Sequence, residues 1–361
     1  MSSGIPMTGK QRYLCTLSHQ EPDYVPIYES PYSKKFFRHV LGYAPETLDP
    51  VNTVKLAQKV GYDVITVNMG GMAGYSEPGM KSNVYKDEWG VTYQKDEAAW
   101  PMDGPIASPL TDGDDWKNYD FPDPTKPSRY TEVEAAIKLA NETGTAVIGG
   151  VRGPFTGTWM LFGMENFSYM LFEDPETVDE ILTKVCDFAI YGAVKMTELG
   201  ASAIQIADDY GSNIQPMVSP AMFDRFVAPQ LKRLCDAIHK AGGRAALHSD
   251  GHIAPLLPSI VRTGIDSLHP IQRGAGMDIA AVKKEYGKQI AIMGNVDNRY
   301  LIVHGKPEEV AAQTIECLRI AAPGGGYILC SDHSLHDDVP IENAMAIYET
   351  GRKYGKYPIC L

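Results

Sequence analysis

Short apolar runs that stop abruptly in polar residues recur along this chain, and amphipathic stretches of helical period separate them. The run Arg244-Ala-Ala-Leu-His248, followed by Ser249-Asp250-Gly251, shows the pattern most sharply. It predicts a buried strand. His248 and Asp250 are two residues apart, so in extended chain both side chains leave one face. The same event is repeated at Tyr24–Tyr28 ending in Glu29, Asp63–Val67 ending in Asn68, and Ala146–Gly150 followed by Arg152. It recurs at Ala203–Ala207 ending in Asp208-Asp209, Ile265–Leu268 ending in His269, Gln289–Met293 leading to Asn295, and Tyr327–Leu329 ending in Cys330.

Between these runs the pattern predicts helices, among them Lys10–Ser18, Glu132–Thr143, Pro175–Leu199, Pro220–Ala241, Pro307–Ala321 and Glu342–Tyr354. The rhythm breaks at 73–125. There, alternation around Trp89-Gly90 predicts a hairpin over Val84–Lys95, and the remaining prolines and glycines predict loop. An insertion of this kind serves as a lid, a pocket wall or surface decoration. Eight strands alternating with helices predict an α/β protein, a single (β/α)8 TIM barrel over residues 1–361, with a hairpin and loop insertion after strand two. An open doubly wound sheet is the competing fold, but no Gly-x-Gly-x-x-Gly follows the first strand.

In such a barrel the active site lies at the carboxyl ends of the strands. Those ends offer Glu29, Asn68, Arg152 and Asn295 as substrate contacts, and Asp208, Asp209 and His269 as catalytic groups. Plainer roles stand beside each: Asp208-Asp209 as a cap, Asn295 as part of a turn, His269 as a packed histidine, Arg152 as a partner of Asp208. Strands five and eight can approach across the mouth of a closed barrel. His248, Asp250 and His333 would then supply three ligands to one zinc and leave a position open, with Cys330 as a substitute ligand or simply a buried small residue.

A formal net charge of -12, with no Lys/Arg cluster to offset it, argues against a nucleic-acid binder. Six scattered cysteines without a C-x-x-C pair suit reduced thiols. No signal peptide and no membrane-length apolar run is evident, so a cytoplasmic location is the expectation. The oligomeric state is left open, a homodimer being one option.

Several stretches resemble the uroporphyrinogen decarboxylase superfamily: Gly153-Pro154-Phe155-Thr156, the segment Gly200–Asp208, Gly294-Asn295-Val296-Asp297, and His333 followed by Pro340-Ile-Glu342-Asn343. The resemblance implies a single (β/α)8 barrel and one of two chemistries. True decarboxylases of the family carry an N-terminal Arg-Gln-Ala-Gly-Arg loop and an early strand ending in aspartate. Here Tyr28–Lys35 holds no arginine, and the early strand ends in Val67-Asn68-Met69. The other branch comprises zinc-dependent methyltransferases that work with corrinoid proteins, with His-x-Cys on strand five and a later Cys. This chain has His248-Ser249-Asp250, and His333 falls where that later Cys aligns.

Oxygen and nitrogen ligands in place of sulfur leave a metal harder and more acidic toward oxygen. The resemblance, so modified, implies a zinc enzyme that takes a methyl group from a methyl ether, such as a methoxylated aromatic, and passes it to a corrinoid protein. Asp209 or His269 would supply a proton to the leaving oxygen. The alternatives are a decarboxylase of the uroporphyrinogen type, and a non-catalytic tetrapyrrole or corrinoid binder.

Overall fold

The structure is a computed structural model and describes residues 6–71, 74, 82–111 and 115–361. Its strands are β1 (Val64–Asn68), β2 (Val84–Lys86), β3 (Thr92–Gln94), β4 (Gly104–Ala107), β5 (Ala146–Arg152), β6 (Ala203–Ala207), β7 (Ala245–His248), β8 (Ser267–His269), β9 (Ala291–Val296) and β10 (Tyr327–Ser331). Seven of them form one parallel sheet in the order β1-β5-β6-β7-β8-β9-β10. That is sequence order, as successive strand–helix units produce.

Period-two alternation divides the sheet's residues between two apolar layers. On the concave side Val64, Ala146, Ile148, Ala203, Ala291, Met293, Ile328 and Cys330 pack with Tyr28 and with Tyr13 and Leu17 of the first helix, Gly9–Leu17. Ile65, Val147, Ile204, Ile206, Leu247, Leu268, Ile292 and Leu329 join the larger cluster beneath the helices. Those helices carry their own stop signals. In Pro175–Leu199 the Asp174 side chain accepts the Thr177 N–H at one end, and Gly200 takes φ 105° at the other.

Tyr24–Tyr28, expected as the first strand, makes no ladder. Ile27 bridges Leu329 and Tyr28 bridges Val64, one parallel bridge to each edge strand of the sheet. Pro26 sits inside this segment and has no N–H to donate, which limits the pairing available. The expected hairpin is present, with Val84 opposite Gln94 and Lys86 opposite Thr92. The expected loop beyond it adds a third antiparallel strand, β4. Of the expected insertion, residues 73, 75–81 and 112–114 lie outside the described residues, as does Met72. Among the described residues no helix is long and apolar enough to cross a membrane.

Glu29, expected at the mouth as a substrate contact, borders a cavity beside β1 and is at the same time a buried tie. It is 1% exposed. Its carboxyl oxygens receive Ser331 Oγ (2.9 Å), the Ser30 N–H (3.1 Å), the Ser331 N–H (3.3 Å) and Tyr348 Oη (3.2 Å). Ser331 Oγ has one proton and faces two acceptors, Glu29 and the His333 carbonyl. A proton on Glu29 would supply the missing donor. Burial works the same way, pushing the Glu29 carboxyl up to about 7.

A carboxyl whose affinity for protons rises on folding stabilises the fold fully below its unfolded pKa. That contribution is lost as pH rises from about 4.5 through about 7. Denaturant unfolding of wild type and Glu29→Gln at pH 4.5 and pH 8 should show the variant gaining relative to wild type as pH rises. The gain expected is roughly 2–3 kcal/mol, since each tenfold change in proton affinity is worth about 1.4 kcal/mol. An unchanged difference between the two pH values would contradict this role.

Candidate metal centre

The parallel register sets the site. Ala207 of β6, His248 of β7 and His269 of β8 are level with one another. The ladder runs on past the strand ends: Asp208 N–H donates to the His248 carbonyl and Ser249 N–H to the His269 carbonyl, both at 3.0 Å. Asp209 and Asp250 are each two residues beyond an inward position, so both carboxylates reach the mouth beside His248.

There the groups converge. His248 Nε2 lies 3.8 Å from Asp209 Oδ1 and 3.6 Å from Asp250 Oδ2. His333, on the loop after β10, brings Nε2 to 3.2 Å from Asp250 Oδ2. The Asp250 N–H donates to Asp209 Oδ1 at 3.0 Å, which fixes the two carboxylates relative to each other. One ligand atom from each of Asp209, His248 and Asp250 lies within 4.8 Å of the others. Asp250 Oδ1 is buried and has no hydrogen-bond partner among the described residues.

The charges respond accordingly. Burial, then the charge of Asp250, pushes the Asp209 carboxyl up. Asp250 goes the opposite way: burial opposes ionisation, but His248 and His333 hold it well below the carboxylate range. Burial lowers the basicity of His248, yet Asp250 and Asp209 outweigh it and leave the imidazole raised. A hydrogen bond to Asp250 lifts His333 to about 9. Two carboxylates and an imidazole facing one another therefore draw in positive charge, whether protons or a cation. An orphaned buried oxygen within an all-oxygen-and-nitrogen donor set fits a divalent ion such as zinc.

The structure sorts the expected residues. His248 and Asp250 meet as expected, with His333 attached through Asp250. Asp209, expected as a proton donor, stands in the donor set itself. Cys330 does not join it: the thiol is fully buried in the concave apolar layer with Met293 and Ile328, and burial raises it well above its ordinary value.

Asp208 is not a catalytic group facing the mouth. Its carboxylate accepts the Thr156 N–H at 2.6 Å, the Phe155 N–H at 3.2 Å and Tyr210 Oη at 2.9 Å, capping the helix Pro154–Phe162. A Cβ at Gly153 would come within 2.2 Å of this carboxylate, which explains the glycine of the Gly-Pro-Phe-Thr stretch. Its threonine hydroxyl accepts the Asp209 N–H at 3.1 Å, a positioning contact the sequence did not suggest.

Asn295, expected as a substrate contact, is fully buried. It donates to the Ile271 carbonyl at 2.9 Å and faces Cys317 Sγ at 3.6 Å. His269 is 3% exposed, and burial, then His248, pushes its imidazole well below the ordinary value, which disfavours the protonated form an acid catalyst needs. Arg152 and Asn68 remain near the mouth. Arg152 closes β5, and its charge favours the ionised forms of Asp209 and Asp87. Asn68 closes β1 and borders a cavity of about 890 Å³ together with Thr66, Tyr32, Tyr85 and Asp87.

Zinc should raise the melting temperature of the wild-type protein, by an amount equivalent to roughly 2.7 kcal/mol at a free concentration 100 times Kd. Chelator should reverse the shift, and His248→Ala should abolish it while the variant still melts cooperatively. A zinc-induced shift that survives in His248→Ala would place the ion elsewhere.

Comparison with known proteins agrees with this frame. The model of the uroporphyrinogen decarboxylase (URO-D) family matches residues 90–354. A uroporphyrinogen decarboxylase from Pseudoalteromonas atlantica is 26% identical over 274 residues, 70% of this chain and 72% of the relative. The methylcobamide:CoM methyltransferase MtaA of Methanosarcina barkeri is 25% identical over 230 residues, 63% of this chain and 65% of that protein. Among solved structures, a methyltransferase from Methanosarcina mazei superposes with a TM-score of 0.74 at 20% identity, covering 96% of this chain and 99% of its own. That likeness establishes a shared fold, and relatives of both chemistries stand at similar distance. The match over most of its length shows that the chain belongs to the uroporphyrinogen decarboxylase family.

Proposed function

We propose that this chain is a zinc-dependent methyltransferase of the demethylating kind, moving a methyl group from a methyl ether, with methoxylated aromatics as the substrate class, to a corrinoid carried by a partner protein. The observation that carries this reading is the Asp209–His248–Asp250 cluster, built without sulfur at the carboxyl ends of β6 and β7. The name of the Methanosarcina barkeri relative, a methylcobamide methyltransferase, supports the corrinoid. The frame supports it as well: with Ile27–Tyr28 read as the eighth stave between β10 and β1, the sheet closes as a (β/α)8 barrel with its mouth at this cluster.

Asp209, His248 and Asp250 would hold the ion, with His333 fixing the Asp250 carboxylate through Oδ2. Zinc held by such ligands supplies Lewis acidity toward an ether oxygen, whose alkoxide or phenoxide is otherwise a poor leaving group. The chain's own residues bind and orient the donor. The cavity beside β1 has room for a substituted aromatic ring, with the phenol rings of Tyr32 and Tyr85 and the amide of Asn68 on its walls. The two carboxylates at the mouth also weigh against the decarboxylase alternative. A substrate with many carboxylates would meet Asp209 and Asp250 there, and Tyr28–Lys35 offers no arginine to grip it.

The test offers purified protein a set of methoxylated aromatics with cob(I)alamin, and separately uroporphyrinogen with chelator. The expected result is methylcobalamin formation with release of the free phenol. His248→Ala should lower that rate at least about 100-fold, the scale lost when a metal ligand or its support is removed. Decarboxylation of uroporphyrinogen in chelator, with no methyl transfer, would overturn the reading.

A further inference from the structure

We infer that His269 is a positioning residue that locks His248 in the one tautomer able to bind a metal ion through Nε2. The inference rests on the metal reading above and concerns a contact outside the donor set. His248 and His269 are register partners on neighbouring parallel strands, so their side chains leave the sheet at the same level and on the same face. Their ring centroids are 4.9 Å apart, close to the spacing of adjacent strands, and their planes differ by 28°. The two Nδ1 atoms meet at 2.7 Å.

A contact that short between two ring nitrogens holds one hydrogen, carried by one ring and accepted by the other. If His269 carried it, His248 would have its lone pair on Nδ1 and its hydrogen on Nε2, the atom that faces Asp209 and Asp250. A metal could not bind there. In the other arrangement His248 Nδ1–H donates to His269 Nδ1, and the Nε2 lone pair is free for the ion. Metal-bound histidines commonly give their second N–H to a carboxylate, a backbone carbonyl or water. Here a second imidazole takes that place.

The surroundings hold His269 in that part. It is 3% exposed, and the edge of Tyr28 meets its ring with centroids 5.6 Å apart and planes at 87°. Tyr28 is itself pinned, its hydroxyl lying 2.7 Å from Ser30 Oγ and 3.0 Å from Thr66 Oγ1. An imidazole is a neutral acceptor, so it orients His248 without adding a third negative charge beside Asp209 and Asp250.

The test measures zinc affinity by competition with a chelating dye in wild type, His269→Phe and His269→Asn. Phenylalanine keeps a buried ring but offers no acceptor. Asparagine places an amide oxygen where Nδ1 stood. His269→Phe should bind zinc 10- to 100-fold more weakly, and His269→Asn should stay within about threefold of wild type, with both variants folded by circular dichroism. Nitrogen NMR of 15N-histidine-labelled, zinc-loaded wild type gives a readout that needs no variant. His269 should carry its hydrogen on Nε2, with Nδ1 as the bare nitrogen. Equal zinc affinity in His269→Phe, or a hydrogen on His269 Nδ1, would overturn the inference while leaving the metal site standing. Failure of wild type to bind zinc would overturn both.

Discussion

Two carboxylates facing one imidazole at the ends of β6 and β7 are the constraint on which the site turns. Asp209 and Asp250 repel each other, and only positive charge between them makes the arrangement favourable. The fold supplies the means of holding them in place. The Asp250 N–H donates to Asp209 Oδ1, Thr156 Oγ1 takes the Asp209 N–H, and His333 engages Asp250 from the loop after β10. Each of these comes from a different strand–helix unit, so the cluster exists only when the parallel sheet has assembled.

Support extends outward from there. Asp208 points away from its neighbour Asp209 and binds the amino end of the helix Pro154–Phe162, which places Thr156. Glu29 ties the segment after Tyr28 to Ser331, two residues before His333. Tyr28 braces His269, and His269 meets His248. Several residues that look like chemistry in the sequence are thus the frame around it. This accords with relatives named for two different activities, decarboxylase and methyltransferase, because one fold can carry different sites.

Much of this was legible in the sequence. The strand-ending runs located seven of the parallel strands, and the two-residue spacing of His248 and Asp250 placed them on one face. Parity also separates Asp209 from Asp208, since Ala203 packs inward and Ile204 and Ile206 outward. Depth was not legible. Cys330 faces inward like the site residues, but it sits a layer below the mouth among apolar side chains. Parity fails at Asn295, because Gly294 at φ 147°, with the Pro270 carbonyl where a Cβ would be, breaks the strand's alternation and sends the amide toward Cys317. The His248–His269 contact depends on register between strands, which local pattern does not encode.

The proposal that an ion held at this mouth would be bound by oxygen and nitrogen alone is tested most directly by X-ray absorption spectroscopy of the zinc-loaded protein. The account predicts a first shell of light scatterers at about 2.0–2.2 Å, with imidazole scattering beyond it and no sulfur. A sulfur shell at about 2.3 Å would bring a cysteine into the site and contradict the account.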